Sequence, residues 1–301
     1  NDLMVAARAE TRRLIRDLPD DIGLWVTYHN YYKSPDLIGP AVSRARGLTY
    51  VQFESTRASS RLNGPWSDFA QAAHQASDAA QAIFYQTAND LITLDRDRFE
   101  NQTLVHLRPF LTRSDLPAAT SSLGSMLTAG MMRQGDKLAS YRLIADMLHL
   151  LDGDWALEIA GDGPARQQVM DMMAPFGNRV RFLGQLAPED LAAAYERAGM
   201  FVWPGVNEAF GMVYLEAQAA GLPVIAQNRP GVRDVLAPGD YPDPEAGVAG
   251  LAERAQQLLN SPGKRHQLGQ DARYHIAKFH LMPVATGCFA AALKDLDRGP
   301  T

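Results

Sequence analysis

Two glutamates in the segment NEAFGMVYLE (207–216) are the residues of this sequence best placed, by type and spacing, to do chemistry. Glu208 stands just before Phe210-Gly211, and Glu216 follows in an apolar run that predicts a helix over 210–220. A helix N-terminus offers unpaired backbone N–H groups to phosphate oxygens. A carboxylate on the next turns accepts hydrogen bonds from a sugar diol. The segment is therefore expected to bind a phosphorylated sugar.

The elements that position these glutamates follow one rhythm: a short β-rich run, a loop, and then an amphipathic helix. This rhythm predicts an α/β protein with parallel sheets and helices on both faces. The expected strands are 23–29, 48–54, 82–86, 103–107, 125–132, 155–161, 179–184, 200–205 and 223–227. The expected helices are 35–46, 66–78, 87–98, 137–150, 164–174, 187–198 and 210–220, followed by a wholly helical region over 245–296.

The length of 301 residues predicts two domains, because single hydrophobic cores usually stop growing near this size. A stretch rich in Pro, Ser and Thr at 108–124 predicts the linker. We therefore expect one domain over 1–115 and a second over 116–282. The chain opens in a helical pattern, whereas an α/β domain normally opens with a strand. The first domain is accordingly expected to be incomplete, with its first strand missing.

Composition excludes several classes of protein. A formal net charge of −5 disfavours nucleic acid as a partner, and a lone cysteine, Cys288, excludes an internal disulfide. There is no signal peptide pattern and no apolar run long enough to span a membrane, so a cytoplasmic location is expected. Arg8, Arg12 and Arg16 recur at helical spacing. They leave open a peripheral contact with the inner membrane face, although solvated helix faces look the same.

Five segments in fixed order carry a family resemblance. They are GMMRQGDK (130–137), IAGDGP (159–164), VRFLGQL (180–186), NEAFGMVYLEAQAAGLPVIA (207–226) and GVRDVL (231–236). Their order resembles the retaining glycosyltransferases of the GT-B type, family 4 or group 1. The two glutamates separated by seven residues are the most specific part of the match. The resemblance implies two Rossmann-like domains that face a cleft, with a final helix over 283–301 that crosses back to the first domain.

The resemblance assigns roles around the two glutamates. Glu216 is expected to accept hydrogen bonds from the ribose of a nucleotide, and Glu208 to contact the transferred sugar. Phe210, Gly211, Met212 and Val213 are expected to complete this part of the donor site, and the last three offer backbone N–H groups. Each glutamate also has a non-functional explanation. Glu216 could be a solvent-exposed glutamate on a helix, and Glu208 could be an acidic residue that is stabilised by the dipole of a nearby helix N-terminus.

Lys137 and Arg133 are the candidate clamp for the diphosphate, whose departure builds negative charge that cations stabilise. The family usually carries its arginine directly after the strand-end glycine, but here Met131 follows Gly130. Lys137 therefore carries over more securely than Arg133. The remaining donor contacts are expected from two further loops, at Gly161, Gly163, Leu183 and Gln185.

His29 ends the first expected strand, and it is the candidate for a contact with the donor sugar. The family often places a histidine at the end of a later strand, where this chain carries Glu54. Either His29 takes that role, or the sugar is contacted differently. The histidines show no pairing typical of zinc, and the acidic triplets DGD (152–154) and DRD (95–97) are expected to be solvated. Neither a metal nor a cofactor is therefore expected.

The expected function is transfer of a sugar from a nucleotide-diphosphate sugar to a hydroxyl acceptor, with retention of anomeric configuration. The acceptor is not specified by the sequence: a polysaccharide, a lipid-linked sugar and a small molecule all stay open. The alternatives are a non-catalytic sugar-nucleotide-binding protein and a sugar-nucleotide epimerase of the same fold. A phosphorylase would need a lysine for pyridoxal phosphate, and nothing near Lys278 or Lys294 indicates one.

Overall fold

The computed structural model describes residues 2–120 and 124–298, which form two compact units. The first unit holds the chain up to Arg108 together with the segment from Thr286 onward. The second unit holds Pro109–Ala285. Each unit is built around a parallel sheet of its own.

The sheet of the first unit has four strands in the order β1-β2-β3-β4. All neighbouring pairs are parallel, so each connection crosses over through a helix or loop segment. The strands are β1 (Leu24–Tyr28), β2 (Thr49–Phe53), β3 (Ala82–Tyr85) and β4 (Thr103–His106). The helices are α1 (Asp2–Asp17), α2 (Gly39–Arg46), α3 (Ser67–Ala79) and α4 (Ala88–Arg96).

The sheet of the second unit has five parallel strands in the order β7-β6-β5-β8-β9. The strands are β5 (Met126–Ala129), β6 (Leu157–Ala160), β7 (Val180–Gly184), β8 (Met200–Val202) and β9 (Val224–Ile225). The helices are α5 (Asp136–Leu148), α6 (Arg166–Met173), α7 (Pro188–Arg197), α8 (Met212–Ala219), α9 (Val232–Val235), α10 (Gly247–Leu259) and α11 (Pro262–Phe279). The order reverses between β5 and β8. Ligands of open α/β sheets bind beside such a reversal.

The core of the second unit explains why its strands read as short apolar runs. Every residue of the central strands β5 and β8 and of the edge strand β9 is buried, as expected for a parallel sheet that helices cover on both faces. The strand pattern of both sheets and the α/β class are thus confirmed. The strands of 125–132 and 200–205 are shorter than expected, since their last residues leave the sheet to form loops.

Helix α2 begins at Gly39, so the expectation of a helix from residue 35 is wrong. The carboxylate of Asp36 accepts hydrogen bonds from the N–H groups of Ile38 (2.9 Å) and Gly39 (2.7 Å). These N–H groups belong to the helix start, where they lack intrahelical partners. Asp36 therefore holds the chain in a loop just ahead of the helix, and the helix pattern starts later than the apolar residues indicate.

The helical region expected over 245–296 consists of three helices separated by two short breaks. A first break follows Leu259, where Pro262 opens α11 without a backbone N–H to lose. A second break follows Phe279. There the buried His280 bonds the carbonyl of Pro109 (2.6 Å) through Nδ1, and α12 (Met282–Asp297) begins two residues later.

The part of α12 from Thr286 onward packs in the first unit. The ring of Phe289 lies 5.4 Å from that of Phe53 and 5.3 Å from that of Phe84. The thiol of Cys288 donates to the carbonyl of His106 at 3.7 Å. The burial of these rings attaches the end of the chain to the sheet of the first unit.

Candidate functional site

Lys137 and Glu208 meet beside the reversal of the second sheet. Lys137 lies on the first turn of α5, which follows β5, and Glu208 lies in the loop between β8 and α8. Since β5 and β8 are adjacent and parallel, their following loops emerge at the same edge. The Nζ of Lys137 donates a hydrogen bond to Oε1 of Glu208, and the two side chains are only 17% and 13% exposed.

Trp203, which directly follows β8, also holds the carboxylate of Glu208. Its Nε1–H donates to Oε1 of Glu208 at 2.9 Å, and the ammonium of Lys137 lies 5.3 Å from the centre of its ring. The indole is fully buried, so it cannot easily change its position. Glu208 is therefore held by one cation and one neutral donor, and its second oxygen stays available to a ligand.

The loop that carries Glu208 is tied to helix α5. The side-chain amide of Asn207 donates to Asp136 (2.9 Å), and the N–H of Val206 donates to the hydroxyl of Ser140 (3.1 Å). Asn207 adopts the left-handed conformation, with a φ of 49°. Asparagine tolerates this region better than most residues. These contacts hold the loop rigidly, so the position of Glu208 is set before a ligand arrives.

Helix α8 begins directly after this loop with an open N-terminus. Its N-cap residue, Gly211, has a φ of 78° and offers no side chain, and within the described residues no side chain caps the helix. A Cβ at Gly211 would come within 2.8 Å of the ring of Tyr214. Glycine is therefore required here, and the first-turn N–H groups of Met212 and Val213 are available to an anion.

A cavity of about 690 Å³ joins these groups. Ligand sites of proteins usually have volumes of a few hundred to about a thousand Å³. The predicted residues that line it are Lys137, Gly161, Gly163, Gln185, Glu208, Gly211, Met212 and Val213. The structure thus brings together residues that lie more than seventy positions apart in the sequence, as the pairing of Lys137 with Glu208 shows.

Gly161 and Gly163 form the floor of this cavity through close approach of two loops. Their φ angles are 142° and 147°. A Cβ would lie 2.0 Å from the carbonyl oxygen of Gly130 at the first position, and 2.4 Å from that of Met132 at the second. No other residue fits such an approach. The glycines thereby let the loops after β5 and β6 lie side by side.

Glu216 lines a neighbouring cavity of about 470 Å³. Leu186 and Leu191 line both cavities, so the two are contiguous. The hydroxyl of Tyr195 donates to Oε2 of Glu216 at 3.0 Å. Burial raises the pKa of Glu216, and the hydrogen bond from Tyr195 opposes that shift. Tyr195 therefore stabilises the ionised form of Glu216 against the effect of burial.

The other predicted residues lie outside the cavity lining. Arg133 is exposed in the loop before α5, while Leu183 and Phe210 are half-buried and pack against the core of the second unit. His29 belongs to the first unit, where its Nδ1 lies 2.9 Å from Oε2 of Glu54.

Two residues of the site were not predicted from the sequence. Trp203 closes an apolar strand-like run, and Tyr195 lies on an amphipathic helix, so the spacing of neither residue indicates a role in the site. Tyrosine and tryptophan need a partner for their polar atom when they are buried. That need is the only signal that could have connected them to Glu208 and Glu216.

The described part of the chain has neither a membrane-spanning helix nor a cluster of metal-ligating side chains. No helix in the described ranges is long and apolar enough to cross a bilayer. Across residues 2–120 and 124–298, no three His, Cys, Asp or Glu side chains come together as a metal would require. In the DRD triplet, Asp97 pairs with Arg96 (2.6 Å) and Asp95 with Arg98 (3.8 Å).

Residues 138–275 match the model of the family described as glycosyl transferases group 1. The match includes α5 from Leu138 onward, the glycine loop after β6 and the segment with both glutamates, while Lys137 lies one residue before it. This part of the second unit therefore matches a group 1 glycosyltransferase domain.

Curated relatives match a similar part of the chain. A D-inositol 3-phosphate glycosyltransferase from Corynebacterium urealyticum is 33% identical over 129 residues, which are 40% of this chain and 30% of that protein. A protein of the same name from Streptomyces bingchenggensis is 32% identical over 158 residues, which are 46% of this chain and 33% of that protein. The matches thus span about a third of the length of these relatives.

Solved structures match nearly the whole chain. The apo form of the lipopolysaccharide outer core galactosyltransferase WaaB has a TM-score of 0.70 at 16% identity, covering 96% of this chain and 79% of that one. Sucrose-phosphate synthase from Thermosynechococcus elongatus gives 0.72 at 17% identity, covering 97% and 77%. HepE from Anabaena, in complex with UDP, gives 0.71 at 16%, covering 96% and 82%. The fold is thus the GT-B fold, with two Rossmann-like domains.

Proposed function

We propose that this protein transfers a sugar from a nucleotide-diphosphate sugar to a hydroxyl acceptor, with retention of anomeric configuration. One observation carries the proposal: a cation, a carboxylate and an open helix N-terminus line a single cavity. Lys137 and the start of α8 suit a diphosphate, and Glu208 suits the hydroxyl groups of a sugar. The group 1 domain supports the same assignment.

The diphosphate is assigned to the part of the cavity between Lys137 and the N-terminus of α8. As the sugar leaves, negative charge grows on the diphosphate oxygens, and fixed positive groups lower the energy of that state. Lys137 is the cation that we assign, since Arg133 is exposed and lies outside the lining. We further propose that no metal ion is needed, because the ammonium and the helix N–H groups supply the charge.

The sugar is assigned to Glu208. Lys137 and Glu208 neutralise each other before a donor binds. A diphosphate competes for the ammonium, which frees the carboxylate to accept from sugar hydroxyls while Trp203 keeps it in place. The pair thus exchanges partners on binding, and neither charge is left unpaired in a nearly buried position.

The nucleoside is assigned to the neighbouring cavity that Glu216 lines. A carboxylate held by Tyr195 is directed to accept from the ribose diol. The base is not assigned. Uridine is the first to test, because HepE and TarM were solved in complexes with UDP.

Retention follows in this proposal from departure and attack on the same face of the sugar. An oxygen of the leaving diphosphate takes the proton of the incoming hydroxyl as the new glycosidic bond forms. The sugar–phosphate bond breaks at the same anomeric carbon, and the nucleoside diphosphate leaves with the proton. Lys137 and the N-terminus of α8 stabilise that leaving group.

The test is a panel of UDP-, GDP- and ADP-sugars with and without simple hydroxyl acceptors, followed by nuclear magnetic resonance of the products. We expect one donor to be turned over, in the presence of a chelator, to a product of unchanged anomeric configuration. Glu208→Gln should lower that rate by at least tenfold and leave binding of the nucleoside diphosphate intact. Donors that bind and are never turned over would instead indicate the non-catalytic binder, and interconverted sugars would indicate the epimerase.

A further inference from the structure

The first unit holds two strained residues at adjacent strand ends. His29 follows β1 with a φ of 69°, and Glu54 follows β2 with a φ of 51°. Neither is a glycine, and glutamate is uncommon in this region of conformational space. Because β1 and β2 are parallel neighbours, both side chains emerge at one edge, where His29 Nδ1 and Glu54 Oε2 lie 2.9 Å apart. Such strain persists mainly at functional positions.

A continuous row of rings starts at this pair, and we call it the aromatic strip. Ring centres are separated by 5.6 Å from Tyr28 to His29, 4.8 Å from His29 to Tyr31, 5.6 Å from Tyr31 to Tyr32, and 5.6 Å from Tyr32 to Trp66. Tyr28 is 69% exposed and Trp66 is 37% exposed. The two ends of the strip therefore offer ring surface to solvent, while the middle rings pack against one another.

Polar and charged groups accompany the strip. Partial burial raises the pKa of the Tyr28 hydroxyl, and the neighbouring carboxylate of Glu54 raises it further. The ammonium of Lys33 and the guanidinium of Arg61 lie 5.6 Å and 5.2 Å from the centre of the Tyr32 ring. Tyr28, His29 and Lys33 also line a cavity of about 610 Å³, so there is room beside the strip for a small ligand.

We propose that the aromatic strip binds a saccharide, which serves as the acceptor of the transferred sugar. This proposal rests on the proposed function, since it names the acceptor class for that reaction. A sugar ring has an apolar C–H face and a rim of hydroxyl groups. The electron-rich faces of tyrosine and tryptophan can pack against the C–H face. Glu54, His29 and the tyrosine hydroxyls can form hydrogen bonds with the hydroxyl groups.

Aromatic and basic residues also bind anionic membrane surfaces, so a membrane is the alternative ligand of the strip. The strip fits it poorly, because the carboxylate of Glu54 lies among the rings and would meet anionic headgroups. The rings also pack edge-to-face on one another, with interplanar angles near 80° for three successive pairs. This arrangement presents a shaped surface with fixed hydrogen-bonding groups, which a saccharide uses and a lipid layer does not.

The experiment is an array of immobilised neutral oligosaccharides, probed with the full chain and with variants. We expect the wild-type chain to be retained by at least one oligosaccharide. Trp66→Ala and Tyr28→Ala should weaken that retention at least tenfold, and Trp66→Phe should keep most of it because a ring is preserved. Tyr274→Ala is the matched control, since Tyr274 is 68% exposed and has Lys278 5.7 Å from its ring centre, but lies in the second unit.

Binding of nucleoside diphosphates, measured on the same preparations by calorimetry, separates this proposal from the proposed function. Loss of oligosaccharide binding with nucleotide binding kept, and with an unchanged circular dichroism spectrum and thermal melt, supports the aromatic strip as the acceptor site. The saccharide proposal is overturned if both alanine variants still bind the oligosaccharide, or if no oligosaccharide binds the wild-type chain. Either result leaves the assignment of the donor site unaffected. A chain that binds vesicles with anionic headgroups but binds no saccharide, and that loses vesicle binding in Tyr28→Ala, overturns the saccharide proposal in favour of a membrane contact.

Discussion

The indole N–H of Trp203 donates a hydrogen bond of 2.9 Å to Glu208, the carboxylate that also pairs with Lys137. Trp203 is fully buried at the end of a strand, and Glu208 lies in the loop five positions later. The hydrogen bond therefore connects the buried end of the sheet to the loop that carries Glu208. In this account Trp203 acts as a positioning residue, because it does not itself touch the donor.

Trp203→Phe tests this role. The variant keeps an aromatic ring in the core and removes only the N–H donor. A hydrogen bond to a charged group contributes about 1.5–3 kcal/mol, and about 1.4 kcal/mol corresponds to a tenfold change. We therefore expect kcat for donor turnover to fall about tenfold or more, with KM for the donor little changed. Trp155→Phe is the control, since Trp155 is buried beside Arg179 in the same unit. An equal loss in both variants would mean that general packing, and not Glu208, is responsible.

Tyr195→Phe tests the support of Glu216. Burial raises the pKa of Glu216, and the Tyr195 hydroxyl lowers it, so removal of the hydroxyl should raise it further. The ionised carboxylate is the form that accepts from ribose, so nucleotide binding is lost as pH falls through that pKa. In the variant we expect the loss to begin at a higher pH than in the wild type, measured by calorimetry with a nucleoside diphosphate. Tyr241→Phe removes a comparable buried hydroxyl, bonded to Ala237 (3.1 Å), and should leave the pH profile unmoved.

Glu216→Gln should stabilise the protein in the absence of ligand. A carboxyl group whose folded pKa lies above its ordinary value of 4.5 binds its proton more tightly when folded. Its ionisation therefore costs stability as pH rises from about the ordinary value through the folded pKa. Glutamine removes that cost and still accepts from Tyr195. We expect a higher Tm at neutral pH, no difference in strong acid, and weaker nucleotide binding. A lower Tm at neutral pH would contradict this reading of the burial.

Gly161→Ala tests the close approach below the cavity. The new Cβ would lie 2.0 Å from the carbonyl oxygen of Gly130, and the φ of 142° is itself strained for alanine. Overpacking of this kind costs about 1–3 kcal/mol or more. The matched control is Gly153→Ala, because Gly153 has a φ of 74° and no atom within 4 Å of its Cβ position. Urea unfolding should show a larger loss for Gly161→Ala than for the control. Equal losses would show that backbone strain, rather than contact between the loops, dominates.

The sequence predicts those site residues that belong to a recognisable motif. Lys137, Glu208 and Gly211 were predicted by spacing and resemblance, and the structure places all three on one cavity. Trp203 and Tyr195 were not predicted, since a buried aromatic residue on a strand or helix has the same pattern whether its polar atom bonds a carboxylate or a carbonyl. The predicted start of α2 was wrong for a related reason. The Asp36 carboxylate holds residues 36–38 outside the helix through hydrogen bonds, and hydrophobic periodicity does not report such bonds.

The aromatic strip shows the same limit in the first unit. The sequence predicted that His29 and Glu54 end the strands over 23–29 and 48–54, and in the structure each residue directly follows its strand. Their left-handed backbone and the row of rings that reaches Trp66 depend on loops of irregular conformation. Periodicity carries no information about such loops.

The central claim is that the cavity of the second unit binds the diphosphate of a nucleotide through Lys137. Calorimetric titration with UDP, GDP and ADP, each beside its monophosphate, tests it most directly. We predict that one diphosphate binds more tightly than its monophosphate, and that Lys137→Ala abolishes most of this difference. Arg142→Ala, which removes an exposed cation from the same helix, should preserve it. If no diphosphate binds, or if Lys137→Ala binds the diphosphate as the wild type does, the assignment of a donor site is wrong.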